Sequence, residues 1–376
     1  MDFSHFVDEP VIDGHVHLKH PGRLGGILQV MGAVPYTRAN LLSMPDREMI
    51  NQNPAVIRFK AHFPGRAYIS AGLDYTRFVS DPAEAAEDLA AQVQEFRAIG
   101  FDGLKMYAAE PRSRKWLHVP VDAPEYEPVW ARLEALEMPV LSHVAQPEEF
   151  WDESRIPAWA KDDERSFSDD NVFPLKEDLY AEMDRVLERH PALKLVLAHF
   201  YFLSADLERA SRFLDAHPSV CFDLTPGLEM LNNLSLNRDA AREFVIKYQD
   251  RLIYGTDITS KDLEEGDEVG LRTSLAKAWV LRAFLEMDGP FMPPDEIDFW
   301  LYEGTGSFRG LDLPRDVLRK IYRANFERVY DPEPAALDRE RTISALERFA
   351  SILDVRAGGA AEGNPARRVA DELREI

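Results

Sequence analysis

Val11-Ile12-Asp13-Gly14-His15-Val16-His17-Leu18 is the stretch from which the rest of the chain is read. Two apolar residues, a turn-capable Asp-Gly pair and two histidines one residue apart make a short strand-like run. Residues i and i+2 of a strand point to the same face. His15 and His17 therefore point the same way, close enough for both imidazoles to bind one cation. A lone pair at this spacing is a weak signal, because two half-exposed strand histidines have the same pattern. What decides is whether later parts of the chain supply further ligands.

Further along, strand-like runs alternate with helical ones. Runs at 37–43, 67–73, 101–107, 139–144, 193–199, 220–224 and 251–257 read as strands. Helical stretches follow at 24–34, at 46–63 with a break at Pro54, and at 83–99, 124–136, 179–188, 205–214 and 240–248. The helix at 83–99 has both punctuation marks, Asp81-Pro82 at its start and Gly100 at its end. Alternating β and α segments imply a parallel sheet. Eight such units predict a closed (β/α)8 barrel, a TIM barrel. An open doubly wound sheet is the alternative, but no glycine fingerprint follows the first strand. Gly304-Thr305-Gly306-Ser307-Phe308-Arg309-Gly310 reads as a loop within a loop-like stretch at 292–314. Long insertions follow strands five (146–175) and eight. The expected division is a barrel over 1–330 and a helical, partly flexible C-terminal tail over 331–376.

The chain has 376 residues and a formal charge of -22, which argues against a nucleic-acid or anionic-membrane partner. No apolar run approaches the roughly 20 residues of a membrane span. Cys221 is the single cysteine, so no intrachain disulfide forms, and a cytoplasmic setting is expected. Met1-Asp2-Phe3-Ser4-His5 does not read as a secretory leader. The expected partner is a small-molecule substrate, and the assembly allowed for is a homodimer.

In a barrel, catalytic residues sit at the C-terminal ends of different strands. The first strand ends in His15 and His17. The fourth carries Lys105, the fifth ends near His143, the sixth at His199 and the eighth at Asp257. Histidines and an aspartate are the ligands of a zinc-like ion in a catalytic site with an open position. Each residue has a bland reading, as a satisfied core histidine, a turn cap or an ion-paired lysine. Their joint occurrence at successive strand ends outweighs those readings, and a polar ligand-type residue closing an apolar strand is a local inconsistency of the kind that marks function.

These segments resemble the metal-dependent amidohydrolase superfamily, specifically its amidohydrolase-2 branch, which also contains decarboxylases. Asp13-Gly14-His15-Val16-His17, Pro139-Val140-Leu141-Ser142-His143, Leu195-Val196-Leu197-Ala198-His199-Phe200 and Tyr254-Gly255-Thr256-Asp257 look like its strand-one, -five, -six and -eight signatures. The segment at 321–330 resembles its closing helix, with Asn325-Phe326 where Asn-Ala is usual. The resemblance implies that His15, His17, His143 and Asp257 hold one divalent ion, Zn2+ before other metals. Asp257 would also take a proton from the metal-bound water, and His199 would act as a general acid/base or polarise the substrate. Lys105 either binds substrate or, if carboxylated, bridges two metals; one ion is expected rather than two.

Arg38, Arg112 and Arg114 fall near predicted mouth positions, where an arginine can clamp a carboxylate. Trp151 and Trp300, with Phe150, Trp159, Phe173, Phe299 and Tyr302, lie in the two long loops and read either as an aromatic lid over the substrate or as loop packing. Lys105, Arg38, Trp151 and Trp300 are the candidate substrate-binding residues. The expected reaction is hydrolysis of an amide, ester or lactone by metal-bound hydroxide. The alternative is non-oxidative decarboxylation of an aromatic or enoic acid. Several decarboxylases of the branch replace one early histidine by Glu, and both are His here, which favours hydrolysis.

Overall fold

The computed structural model describes residues 1–45, 51–162, 165–226, 229–260, 263, 267–296, 307–360 and 363–376. Nine short strands form one parallel sheet: β1 (Val11–His17), β2 (Tyr36–Leu42), β3 (Ala67–Ala71), β4 (Gly103–Met106), β5 (Val140–Ser142), β6 (Leu195–Leu197), β7 (Cys221–Asp223), β8 (Leu252–Ile253) and β9 (Ile258–Thr259). Their order is β8-β7-β6-β5-β4-β3-β2-β1-β9. The last two belong to one passage of the chain. β8 pairs with β7 and β9 pairs with β1, so the ring closes as the expected TIM barrel.

Closure explains the Asp-Gly pair, which is not a turn. Gly14 lies within β1, and a Cβ there would stand 2.9 Å from both Ile253 Cγ2 and the Tyr254 carbonyl oxygen. The Gly14 amide donates to that same carbonyl (2.9 Å), and the Asp257 amide donates to the His15 carbonyl (2.9 Å). Asp13 ties the seam from the side: its carboxylate accepts the Thr256 hydroxyl (2.6 Å) and the Thr256 and His15 amides. Burial pushes its carboxyl up to about 7. Gly255 mirrors Gly14, since a Cβ there would lie 2.9 Å from the His15 Cβ.

The barrel interior is filled by Ile12, Leu42, Tyr68, Leu141, Val196 and Ile253, against which Phe326, Val329 and Tyr330 pack. These last three come from the helix Asn325–Tyr330. Asn325 fixes that helix to the sheet by donating to the carbonyls of Leu252 and Gln249, both at 2.7 Å. A larger apolar layer lies between the sheet and the outer helices. The helix Pro82–Ile99 has Asp81 as its cap and left-handed Gly100 as its stop, as its sequence predicts.

Two expectations are corrected. Pro54 does not break a helix: it sits in the first turn of the helix Asn53–His62, where its missing N–H costs nothing. Residues 46–50 of the expected helix lie outside the described residues. The stretch at 292–314 is not all loop, because β11 (Phe308–Leu311) pairs antiparallel with β10 (Asp288–Phe291). After the barrel, the helices Arg339–Arg356 and Pro365–Glu375 pack on each other and on the outer helices. Among the described residues no helix is long and apolar enough to cross a membrane.

Candidate metal centre

The ladder stops earlier than the apolar runs do. β4, β5, β6 and β7 end at Met106, Ser142, Leu197 and Asp223. The residues just beyond converge on the C-terminal mouth, with the His143 amide still bonded to the Met106 carbonyl (3.0 Å). On β1, His15 and His17 share a face as expected, with their Nε2 atoms 3.2 Å apart. Asp257 Oδ1 lies 3.0 Å from His17 Nε2 and 3.6 Å from His15 Nε2. One ligand atom from each of these three residues falls within 4.8 Å of the others. Asp257 adopts a left-handed backbone (φ 55°), and such strain collects at functional sites.

The orientation of His15 comes from a residue that the sequence reading did not single out. Asp223, the last residue of β7, lies 2.8 Å from His15 Nδ1 through Oδ2. Its Oδ1 accepts the His199 amide (2.7 Å) and the Thr225 amide (3.2 Å). With Nδ1 engaged by Asp223, Nε2 is the His15 atom that faces His17 and Asp257. Burial works to raise the Asp223 carboxyl, but His15 and the amides prevail and hold it down at about 2. The signal was available in Cys221-Phe222-Asp223, an apolar strand closed by a carboxylate.

His143 and His199 stand beside this trio. Their ring centroids are 4.9 Å apart, and the His199 ring lies 5.3 Å from that of His15. Expected as a metal ligand, His143 is not among the atoms that meet within 4.8 Å. Burial holds His17 at about 3, His199 at about 4 and His143 well below its ordinary value, so these three are neutral imidazoles with lone pairs to give. Burial also works to raise Asp257, yet the His17 hydrogen bond and the surrounding histidines hold it well below the usual carboxylate range.

Lys105 is 2% exposed, and its Nζ has no hydrogen-bond partner among the described residues. Burial pushes its ammonium down to about 8, against the opposing charges of Asp223 and Asp257. His143 Nε2, His199 Nδ1 and His17 Nδ1 are likewise buried without partners. Buried polar atoms are normally satisfied. Unsatisfied donors and acceptors gathered round converging histidine and aspartate ligands fit a divalent cation and a polar substrate.

Not every other expected residue reaches the site. Arg38 is near the start of β2, paired in register with Ile12 and not with the histidine end of β1. It bonds the carbonyls of Gly65 and Pro332 and pairs with Glu333 and, at 3.8 Å, with Glu327. It closes the far end of the barrel and does not reach the mouth. Arg112 stays near the mouth, paired with Glu110 (2.9 Å) and donating to the Tyr107 hydroxyl (3.4 Å), whereas Arg114 lies 3.5 Å from Glu182. Trp151 donates to the Pro174 carbonyl (3.0 Å) and packs on Phe167 in the small core of its own loop. Trp300 lies outside the described residues, as do Phe299 and Tyr302. Among the described residues, the aromatics that touch the site histidines are two others: Tyr107, 5.0 Å from His143, and Phe202, 5.2 Å from His199 and 5.4 Å from His143.

Solved structures of similar fold include several that are distant in sequence. A putative amidohydrolase from Staphylococcus aureus aligns with a TM-score of 0.51 at 14% identity, over 85% of this chain and 99% of that one. A putative 2-pyrone-4,6-dicarboxylic acid hydrolase from Pseudomonas putida aligns at 0.50 and 13%, over 86% and 98%. An uncharacterised TIM-barrel protein from Bordetella bronchiseptica aligns at 0.50 and 14%, over 85% and 98%. No curated protein matches the chain. The sequence model described as amidohydrolase matches residues 12–331, from the strand that carries His15 and His17 to the helix that plugs the barrel. The chain belongs to the amidohydrolase family, in its amidohydrolase-2 branch.

Proposed function

We propose that the protein is a divalent-metal-dependent hydrolase acting on an amide, ester or lactone bond of a small organic substrate. The observation that supports this best is the convergence of His15, His17 and Asp257 within 4.8 Å. These three would hold the ion, with His143 as the neighbouring donor. Two or three imidazoles with one carboxylate are a Zn2+ donor set. An ion bound there lowers the pKa of a water molecule from 15.7 to about 7.

The chain's own groups then have distinct work. The Asp257 side chain is 32% exposed, so its carboxylate can accept a proton at the mouth through the oxygen that does not hold the ion. His199, a neutral imidazole with Nδ1 unpartnered, is placed to polarise the scissile carbonyl or to exchange a proton with the leaving group. Lys105 can donate to a substrate oxygen from Nζ, which no described residue bonds. Tyr107 and Phe202 border these groups with apolar surface and keep bulk water from them.

The test is a screen of the zinc-loaded protein against esters, lactones and amides, with aryl carboxylates alongside. Hydrolysis that a chelator removes and zinc restores is the expected result. His15→Ala and Asp257→Ala should each abolish it while the melting transition survives. Release of carbon dioxide from an aryl acid, without hydrolysis of any substrate, would replace this reading by the decarboxylase one. Turnover in rigorously metal-free protein would overturn both.

A further inference from the structure

His199, Phe200, Tyr201 and Phe202 all have left-handed backbones, with φ of 56°, 56°, 56° and 50°. None is glycine. Each left-handed L-residue costs roughly 1–2 kcal/mol, and such residues ordinarily occur singly. A run of four persists only where the surroundings over-determine it. This run begins at a site histidine and ends at the aromatic ring stacked on that histidine, 5.2 Å away with 26° between the planes. The unusual hand of the turn therefore sets where both side chains stand.

The restraints on the turn can be named. At its start, the His199 amide is held by Asp223. In its middle, the buried Tyr180 hydroxyl donates to the Tyr201 carbonyl at 3.0 Å. At its end, Lys176 Nζ donates to the Phe202 carbonyl at 3.4 Å. Tyr180 and Lys176 both belong to the helix Lys176–Arg189, which follows the long insertion after β5. Tyr180 is itself fixed, with the Tyr201 ring 4.7 Å away edge-on and the Arg209 guanidinium 4.7 Å over its face. The turn's own bonds, from the Tyr201 amide to the Ala198 carbonyl (3.0 Å) and from the Leu203 amide to the Phe200 carbonyl (3.2 Å), leave the Tyr201 carbonyl to the Tyr180 hydroxyl.

We propose that Tyr180 is a positioning residue for this site: its hydroxyl holds the left-handed turn that delivers His199, with Phe202 stacked on it, to the metal centre. Lys176 is the second tie of the same clamp. Neither touches substrate or metal, and both act through His199. The turnover arm of the test rests on the hydrolase reading above; the spectroscopic arm does not.

Tyr180→Phe keeps the ring and removes only the hydroxyl. In the zinc-loaded protein it should lower kcat about five- to tenfold, the worth of one hydrogen bond, with KM within about twofold. Independently of turnover, the imidazole Cε1–H signal of His199, assigned with His199→Gln, should move or broaden by nuclear magnetic resonance. Tyr36→Phe is the control: it removes another buried tyrosine hydroxyl, which lies 2.9 Å from that of Tyr254. It should leave the His199 signal in place. Lys176→Met gives the same test if Tyr180→Phe does not fold. A His199 signal unmoved by Tyr180→Phe, or moved equally by Tyr36→Phe, overturns the proposal. A wild-type protein without hydrolysis would sink the hydrolase reading, and the resonance would still decide this one.

Discussion

Asp223 Oδ2 stands 2.8 Å from His15 Nδ1, and the other oxygen of the same carboxylate holds the amide of His199. One buried group thus orients the first strand's histidine and anchors the turn that carries another. Such outer partners of metal-binding histidines typically contribute 10- to 100-fold to metal affinity. Asp223→Asn keeps the shape and removes the charge. It should weaken Zn2+ binding by about that factor, measured by competition with a chromophoric chelator. The metal-free melting temperature should stay close to that of the wild type. Unchanged affinity would mean that Asp223 serves only the fold.

Why Asp223 escaped the sequence while His15, His17, His143, His199 and Asp257 did not is a matter of chemistry type. Histidines in apolar runs stand out, and Asp257 follows a recognisable Tyr-Gly-Thr. Asp223 in Cys-Phe-Asp has the same form, but a strand-ending aspartate is also an ordinary turn residue. The barrel was legible because βα alternation is a property of the whole chain. Arg38 was misplaced by the opposite effect. Its position along β2 depends on register: Arg38 pairs with Ile12, and Leu42, four residues on, pairs with His17 at the mouth. Trp151 packs within the core of its own loop, whereas Phe202 reaches the site through a left-handed turn that no propensity forecasts.

Lys105 gives a pH dependence with a definite sign. Burial lowers its ammonium from about 10.5 to about 8. Between these values the unfolded chain binds a proton that the folded chain does not. The penalty for a buried ammonium is therefore complete below pH 8 and is relieved as pH rises towards 10.5. Lys105→Met removes that penalty. Its stability advantage over wild type, in metal-free protein by urea unfolding, should be largest at pH 7. It should shrink by about 2 kcal/mol at pH 9.5, a change of 1.36 kcal/mol per unit. An advantage that stays constant with pH would show that burial does not lower the Lys105 ammonium below its unfolded value.

Lys60 and Asp102 form a buried pair away from the mouth, with Nζ 2.6 Å from Oδ2. Lys60 also donates to the Gly100 carbonyl (2.9 Å), and Asp102 accepts the amides of Ile69 and Ala335, each at 2.7 Å. The pair thus ties a barrel strand to the start of the C-terminal tail. Lys60→Met leaves a buried carboxylate without its cation, which costs about 3–5 kcal/mol. Burial already raises the Asp102 carboxyl, and losing Lys60 raises it further. A raised carboxyl is least costly when protonated. The deficit measured by urea unfolding should therefore be smaller at pH 5 than at pH 8, and a deficit that grows on acidification would contradict the pairing.

Gly14 links barrel closure to the metal centre, because it precedes His15 and lies against the returning strand. A Cβ at this position would stand 2.9 Å from Ile253 Cγ2 and from the Tyr254 carbonyl, and 3.3 Å from the Phe326 ring. Backbone on one side and barrel core on the other leave no flexible side-chain tip to move aside. In Gly14→Ala, β1 must shift from β8, lengthening the bond from the Gly14 amide to the Tyr254 carbonyl. The overpacking should cost about 1–3 kcal/mol. The shift carries His15 with it, so Zn2+ affinity should fall as well, and by more than in Lys60→Met, which is destabilised without touching β1. Chelator competition on both variants separates the two effects. Equal affinities would show that the closure can give way without moving the histidines.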